Sequence, residues 1–136
     1  MSAEPSSAPK KAGAAKRADF RVEMPLMIRY RVAVRQEDGR HQLSPFSNGV
    51  GVDFSGGGCA FKIAKDVPPG YFLYIEITMP YDKVPVQAVA EVVRILPDDL
   101  KGKQVFRCIT RYVLIHPDVQ DRMVGYFIGE AARQKK

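Results

Sequence analysis

From Val22 onward, apolar and polar positions alternate along the chain. Val22, Leu26, Ile28, Tyr30, Val32 and Val34 share one side of a period-two pattern, with Arg29, Arg31, Ala33 and Arg35 on the other. That period predicts one long half-buried strand. Asp38, Gly39, Pro45, Ser47 and Asn48 make residues 36–48 a polar connection. Val50, Val52 and Phe54 then share one face of a second strand at 49–54. Ser55-Gly56-Gly57-Gly58 reads as a hairpin turn free to use positive φ, leading into Cys59, Phe61 and Ile63 on a third strand. Pro68, Pro69 and Gly70 break the chain before Leu73, Ile75, Ile77 and Met79, a fourth alternating run. After a turn at 80–85, residues 86–96 and 103–115 predict two more strands, separated by a turn over 97–102. The pattern then changes period. Pro117 suits a first helical position, Asp118 and Asp121 a first turn, and Arg133, Lys135 and Lys136 a last turn, which predicts a helix over 117–135. Val119, Met123, Tyr126, Phe127 and Ala131 form its inward stripe. Six strands with short connections and one closing helix imply a mainly β fold, a small six-stranded antiparallel barrel, because closure removes exposed edges.

Ahead of this pattern, residues 1–15 are dominated by Ala, Ser, Pro and Lys and hold too little apolar surface to offset chain entropy. They are expected to be a disordered basic tail, with one domain over 16–136. The chain has 136 residues, 46% hydrophobic and 26% charged, enough for one core. No run approaches the ~18–20 apolar residues that span a bilayer, and nothing near the start reads as a secretory leader, so membrane insertion is not expected. Cys59 and Cys108 form no CxxC pair and point to reduced thiols and a cytoplasmic location. The net charge is +6. Lys10, Lys11, Lys16, Arg17 and Arg21 against Glu4 and Asp19 give 5 − 2 = +3 within the first 21 residues. Such a segment attracts phosphate, nucleic acid or anionic lipid, or is simply a solvated tail.

Catalytic signatures are missing. His41 and His116, with the two cysteines, show no local ligand pair of the kind zinc sites use. Ser55 lies outside a GxSxG setting, and the glycines complete neither a nucleotide-hydrolysing phosphate loop nor GxGxxG. Asp98-Asp99 and Asp118/Asp121 read as a loop and a helix start. The chain is therefore expected to be no enzyme and to carry no metal or cofactor. Two groupings remain. Arg17-Ala18-Asp19-Phe20-Arg21 is an RxxxR at the junction of tail and barrel, and arginine can chelate a phosphate or the O6/N7 edge of guanine through paired N–H bonds. Asp53-Phe54-Ser55-Gly56-Gly57-Gly58 is a DxSxxG at a strand end. There Asp53 and Ser55 project together on the solvent face, and the carboxylate can accept the N1–H and N2–H₂ donors of guanine. Turn chemistry alone explains the glycines of that stretch equally well.

An RxxxR before a long strand followed some 30 residues later by DxSxxG resembles the PilZ domain family, and the likeness runs over about residues 16–130 through LYIEITMP, AEVVRI and the final helix. The resemblance implies a receptor for cyclic di-GMP, a bacterial second messenger, as the ligand. Arg17 and Arg21 would hold phosphates and guanine edges, with Asp53, Ser55 and Gly58 as the other wall. Lys16, Arg94 and Gly57 are additional candidate contacts. Many family members carry an aromatic residue where Arg94 stands; Arg94 either stacks on the ligand or is solvated. In the family, a basic residue just before RxxxR tends to accompany a stacked ligand pair, so Lys16 leads to the expectation of two ligands per chain. The output would pass to a protein partner in flagellar, pilus or polysaccharide machinery. The rival readings are a PilZ-like adaptor acting without nucleotide and a basic barrel that binds nucleic acid. The latter should group aromatic and basic side chains on one sheet, whereas Tyr30 falls on the apolar face of its strand, so no DNA or RNA partner is expected.

Overall fold

A computed structural model describes residues 20–134. The expected tail at 1–15, Lys16 and Arg17 lie outside the described residues. The elements are β1 (Val22–Glu23), β2 (Met27–Arg35), β3 (His41–Leu43), β4 (Ser47–Phe54), β5 (Gly58–Ile63), β6 (Phe72–Ile77), β7 (Val86–Leu100), β8 (Lys103–Ile115) and α1 (Pro117–Gln134). Six strands close a ring in the order β4-β5-β8-β7-β6-β2, with β2 returning to β4. Every pairing is antiparallel. β1 adds to the free side of β4 and β3 to that of β2.

The predicted first strand is two. Pro25 has no N–H to donate and restricts Met24 before it, so the chain steps at 24–26 while staying tied to β4. Met24 N donates to Val52 O at 3.2 Å, and Leu26 O accepts from Gly51 N at 2.7 Å. The predicted polar connection at 36–48 contains the short edge strand β3, joined to β2 by a turn in which Gly39 takes φ 86°. The predicted turn over 97–102 shrinks to Lys101 and Gly102, both at positive φ, as the flanking strands pair down to Leu100↔Lys103. Pro97 is tolerated within β7 because pairing with β6 ends at Glu91, leaving that stretch with a free edge.

One expected face is corrected. A bulge between Gly51 and Asp53 shifts the register of β4, so Val50 and Val52 are only half-buried while Gly49, Gly51 and Phe54 turn inward. The inward glycines are filled over by rings: a Cβ at Gly49 would lie 2.9 Å from Phe61 Cδ2, and one at Gly51 2.8 Å from Phe54 Cε1. Tyr30, Phe54, Phe61, Ile28, Ile75 and Ile77 fill the barrel, and α1 closes it with Met123, Val124 and Phe127. Val119 is exposed rather than inward. Gln120 takes that side of the first turn, because its amide reaches the carbonyl of Gly56.

Cys59 and Cys108 are both free and buried. Burial pushes the Cys59 thiol up to about 11 and the Cys108 thiol up to about 12. The folded state therefore favours protonated thiols, and this contribution, complete below the unfolded thiol range near ~8.5, is lost as pH rises toward 11–12. A disulfide-exchange reagent at pH 8 is expected to label neither thiol until denaturant is added, and the urea midpoint is expected to fall from pH 8 to pH 10. Rapid native labelling would refute the buried placement.

Candidate functional site

Arg21 immediately precedes β1, and β1 runs beside the end of β4 with Val22 opposite Phe54 and Glu23 opposite Asp53. That pairing brings the last arginine of RxxxR to the first residue of DxSxxG. Arg21 Nη1 stands 3.6 Å from Asp53 Oδ2; the arginine side chain is 72% exposed and the aspartate 18%. The separation is an ion pair rather than a tight hydrogen bond, so the guanidinium retains donors for a ligand.

The turn between β4 and β5 is tied from three directions. Ser55 N and Oγ both donate to Gly58 O, at 3.0 and 3.3 Å. Gly56 O accepts from Gln120 Nε2 at 3.0 Å, and Gly57 O from Tyr112 N at 2.8 Å. None of Gly56, Gly57 and Gly58 takes positive φ, contrary to the expectation for this turn. Close approach explains one of them: a Cβ on Gly58 would sit 2.0 Å from Thr110 O, whereas Gly57 is exposed with open space around it. Beneath the turn, burial and the neighbouring Cys59 thiol hold the Tyr112 phenol well above its usual range.

Across the outer face, register aligns the other candidates. Asp53 pairs with Ala60, Ala60 with Ile109, and Ile109 with Arg94, so Arg94 lies in the same row as Asp53, three strand spacings away. At the usual interstrand distance that is roughly 14 Å. Arg94 is exposed, next to a bulge between Val92 and Arg94, and makes no ion pair among the described residues. One row over, Gly58 pairs with Arg111 and Arg111 with Glu91, and the last two form an ion pair. The alternation of β8, with Cys108 and Thr110 buried, sends Arg111 outward. Sequence reasoning did not single out Arg111; its alternation was legible, but only the pairing of β8 with β5 sets it against the motif.

Both motif segments rest on α1. Phe54 stacks on Phe127 with ring centroids 4.8 Å apart, and Phe20, inside RxxxR, lies 6.5 Å from the same ring. At the other end of the helix, Gln134 Nε2 donates to Glu23 O at 2.9 Å. Among the described residues, no three His, Cys, Asp or Glu side chains gather as a metal site, and no helix is long and apolar enough to cross a membrane.

A model of the PilZ domain family matches residues 15–124. No curated protein sequence matches. Among solved structures, the inhibitor of motility MotI/DgrA of Bacillus subtilis is 19% identical with a TM-score of 0.63, over 85% of this chain and 51% of that one. The PilZ domain of YcgR from Escherichia coli, solved with c-di-GMP, is 20% identical with a TM-score of 0.58, over 85% of this chain and 93% of that domain. The K. pneumonia MrkH–c-di-GMP complex is 14% identical with a TM-score of 0.60, over 85% and 52%. This chain thus spans about half the length of MotI and MrkH. At these identities the likeness is one of fold.

Proposed function

This chain belongs to the PilZ domain family, and we propose that it is a cytoplasmic receptor module for cyclic di-GMP that signals to a protein partner in motility, pilus or exopolysaccharide machinery. The observation that carries this reading is the 3.6 Å approach of Arg21 to Asp53, which supports taking the two motifs as parts of one site. The ligand brings two negative charges and two guanines. Arg17 and Arg21 supply forked donors for phosphate or for the O6/N7 edge, and Asp53 accepts from the Watson–Crick edge. Ser55 keeps lone pairs free to accept, while Gly57 offers an unobstructed backbone. Each charge-assisted hydrogen bond contributes ~1.5–3 kcal/mol where water is excluded. The solved YcgR domain and MrkH complex each hold c-di-GMP, and both share this fold. Lys16 beside Arg17 supports a stoichiometry of two, since a third cation offsets repulsion between stacked ligands.

Calorimetric titration with cyclic di-GMP, GTP and a short oligonucleotide at two salt concentrations tests the reading. The oligonucleotide is included because Phe46 on the outer face is bracketed by Arg29 and Arg31, 3.8 and 5.1 Å from its centroid. Tyr30, by contrast, is buried. Cyclic di-GMP is expected to bind and the others not. Arg21→Ala is expected to weaken binding at least tenfold, ~1.4 kcal/mol, with an unchanged melting temperature because an ion pair this exposed adds little stability. Equal binding by the parent and by an Arg17→Ala/Arg21→Ala double variant would overturn the proposal.

A further inference from the structure

We infer that Arg111 is a further ligand-binding guanidinium, held in reserve by Glu91, and that it forms a subsite for a phosphate or guanine edge on the far side of the site; the inference rests on the receptor reading above. Arg111 lies directly across from Gly58, the last residue of DxSxxG, on the outward side of β8. Its side chain is 64% exposed. Between Asp53 and this wall β5 contributes Gly58 and Ala60, both small and buried, so no long side chain of that strand separates Arg111 from the motif. Arg94, in the adjoining row of β7, adds a second cation to the same wall.

The partner of Arg111 is informative. Its Nη2 donates to Glu91 Oε1 on β7, which leans the guanidinium away from Gly58. An ion pair at this exposure adds little to stability. Paired N–H bonds from arginine to a phosphate or to guanine are stronger and geometrically matched. An anion brought beside Arg111 therefore competes with Glu91 for the guanidinium, whose exposed side chain is free to turn from one partner to the other. Arg21 and Asp53 already engage one end of a ligand that has two guanines. Arg111 and Arg94 offer the second end an equivalent set of donors.

Calorimetry with cyclic di-GMP on the full chain tests this. Arg111→Ala is expected to weaken binding about tenfold. Arg111→Lys, which keeps the charge but not the fork, is expected to restore less than half of that loss. Glu91→Gln is expected to tighten binding about threefold by removing the competitor. Glu76→Gln, the same charge change at the Arg29 pair on β6, is expected to leave affinity unchanged. In the decisive combination, Glu91→Gln gives no gain once Arg111 is alanine, since the carboxylate acts only through that guanidinium. Circular dichroism checks that each variant is folded. If the parent binds and Arg21→Ala loses affinity while Arg111→Ala does not, the subsite is overturned and the receptor reading stands. If the parent does not bind, both fall. A threefold gain from Glu91→Gln on the Arg111→Ala background shows a general charge effect and overturns the reserve role of Glu91.

Discussion

Phe127→Ala is expected to lower unfolding stability by about 3–5 kcal/mol, the usual loss when a buried phenylalanine is truncated in a core that cannot collapse around the gap. The ring is fully buried. It stacks on Phe54 at the end of β4 and packs near Phe20 beside the first motif. Met123 and Val124 are the only other buried side chains of α1, so removing the ring takes away the main anchor of the helix. With single domains stable by only ~5–15 kcal/mol, roughly a fifth or more of the total is at stake. Binding should suffer in the fraction that remains folded. The helix holds Gly56 O through Gln120 and Glu23 O through Gln134, so a loosened helix frees both motif segments at once. Urea denaturation gives the first quantity, and titration at low temperature the second. Phe127→Leu, which keeps most of the volume, is expected to retain more than half of the stability. A loss below ~1 kcal/mol for Phe127→Ala would mean that α1 is not a structural part of the site.

The barrel was legible in the sequence because its signal is local. Period-two alternation in 27–35, 58–63, 72–77 and 103–115 needs only that one face be buried, and the helix from Pro117 announces itself by composition. Where local reading failed, a contact distant in sequence decided. Val50, Val52 and Phe54 alternate perfectly on paper, but the β4 bulge opposite Ala60 turns Phe54 to the side of Gly49 and Gly51. Those glycines face inward because Phe61 of β5 and Phe54 of β4 itself occupy the space their side chains would need, and alternation alone assigns no aromatic ring to a glycine. Val119 fits the helical period, yet Gln120 takes the inward place because a turn 64 residues earlier offers it a carbonyl. The site divides the same way. Arg21 and Asp53 were found as motif residues, and their proximity follows from a two-residue strand that Pro25 separates from β2. Arg111 carries no motif, and only the register of β8 against Gly58 sets it beside the others.

Gly58→Ala is expected to destabilise the fold by about 3 kcal/mol or more, at the upper end of what overpacking a dense interior does. Its Cβ would lie 2.0 Å from Thr110 O and 2.8 Å from Arg111 Cα. Both obstacles are backbone of β8, so no rotamer change can relieve them, and β5 must move off β8 by more than an ångström. That motion strains the Gly58↔Arg111 pairing, the Tyr112 N to Gly57 O bond and both Ser55 bonds to Gly58 O. The last of these tie the turn beside Asp53, so ligand affinity falls with stability. Gly57→Ala is the matched control: one position earlier in the same motif, exposed, in open space and without positive φ. It is expected to change stability by less than ~0.5 kcal/mol, as surface substitutions usually do. Thermal and urea denaturation of the two variants give the comparison, and titration of whichever remains folded gives the affinities. A Gly58→Ala protein as stable as Gly57→Ala would show that the strands do not approach this closely. A Gly58→Ala protein unstable as expected would mean that the glycine ending DxSxxG is required first by the approach of β8, and that it serves the ligand by fixing where Ser55 and Asp53 stand.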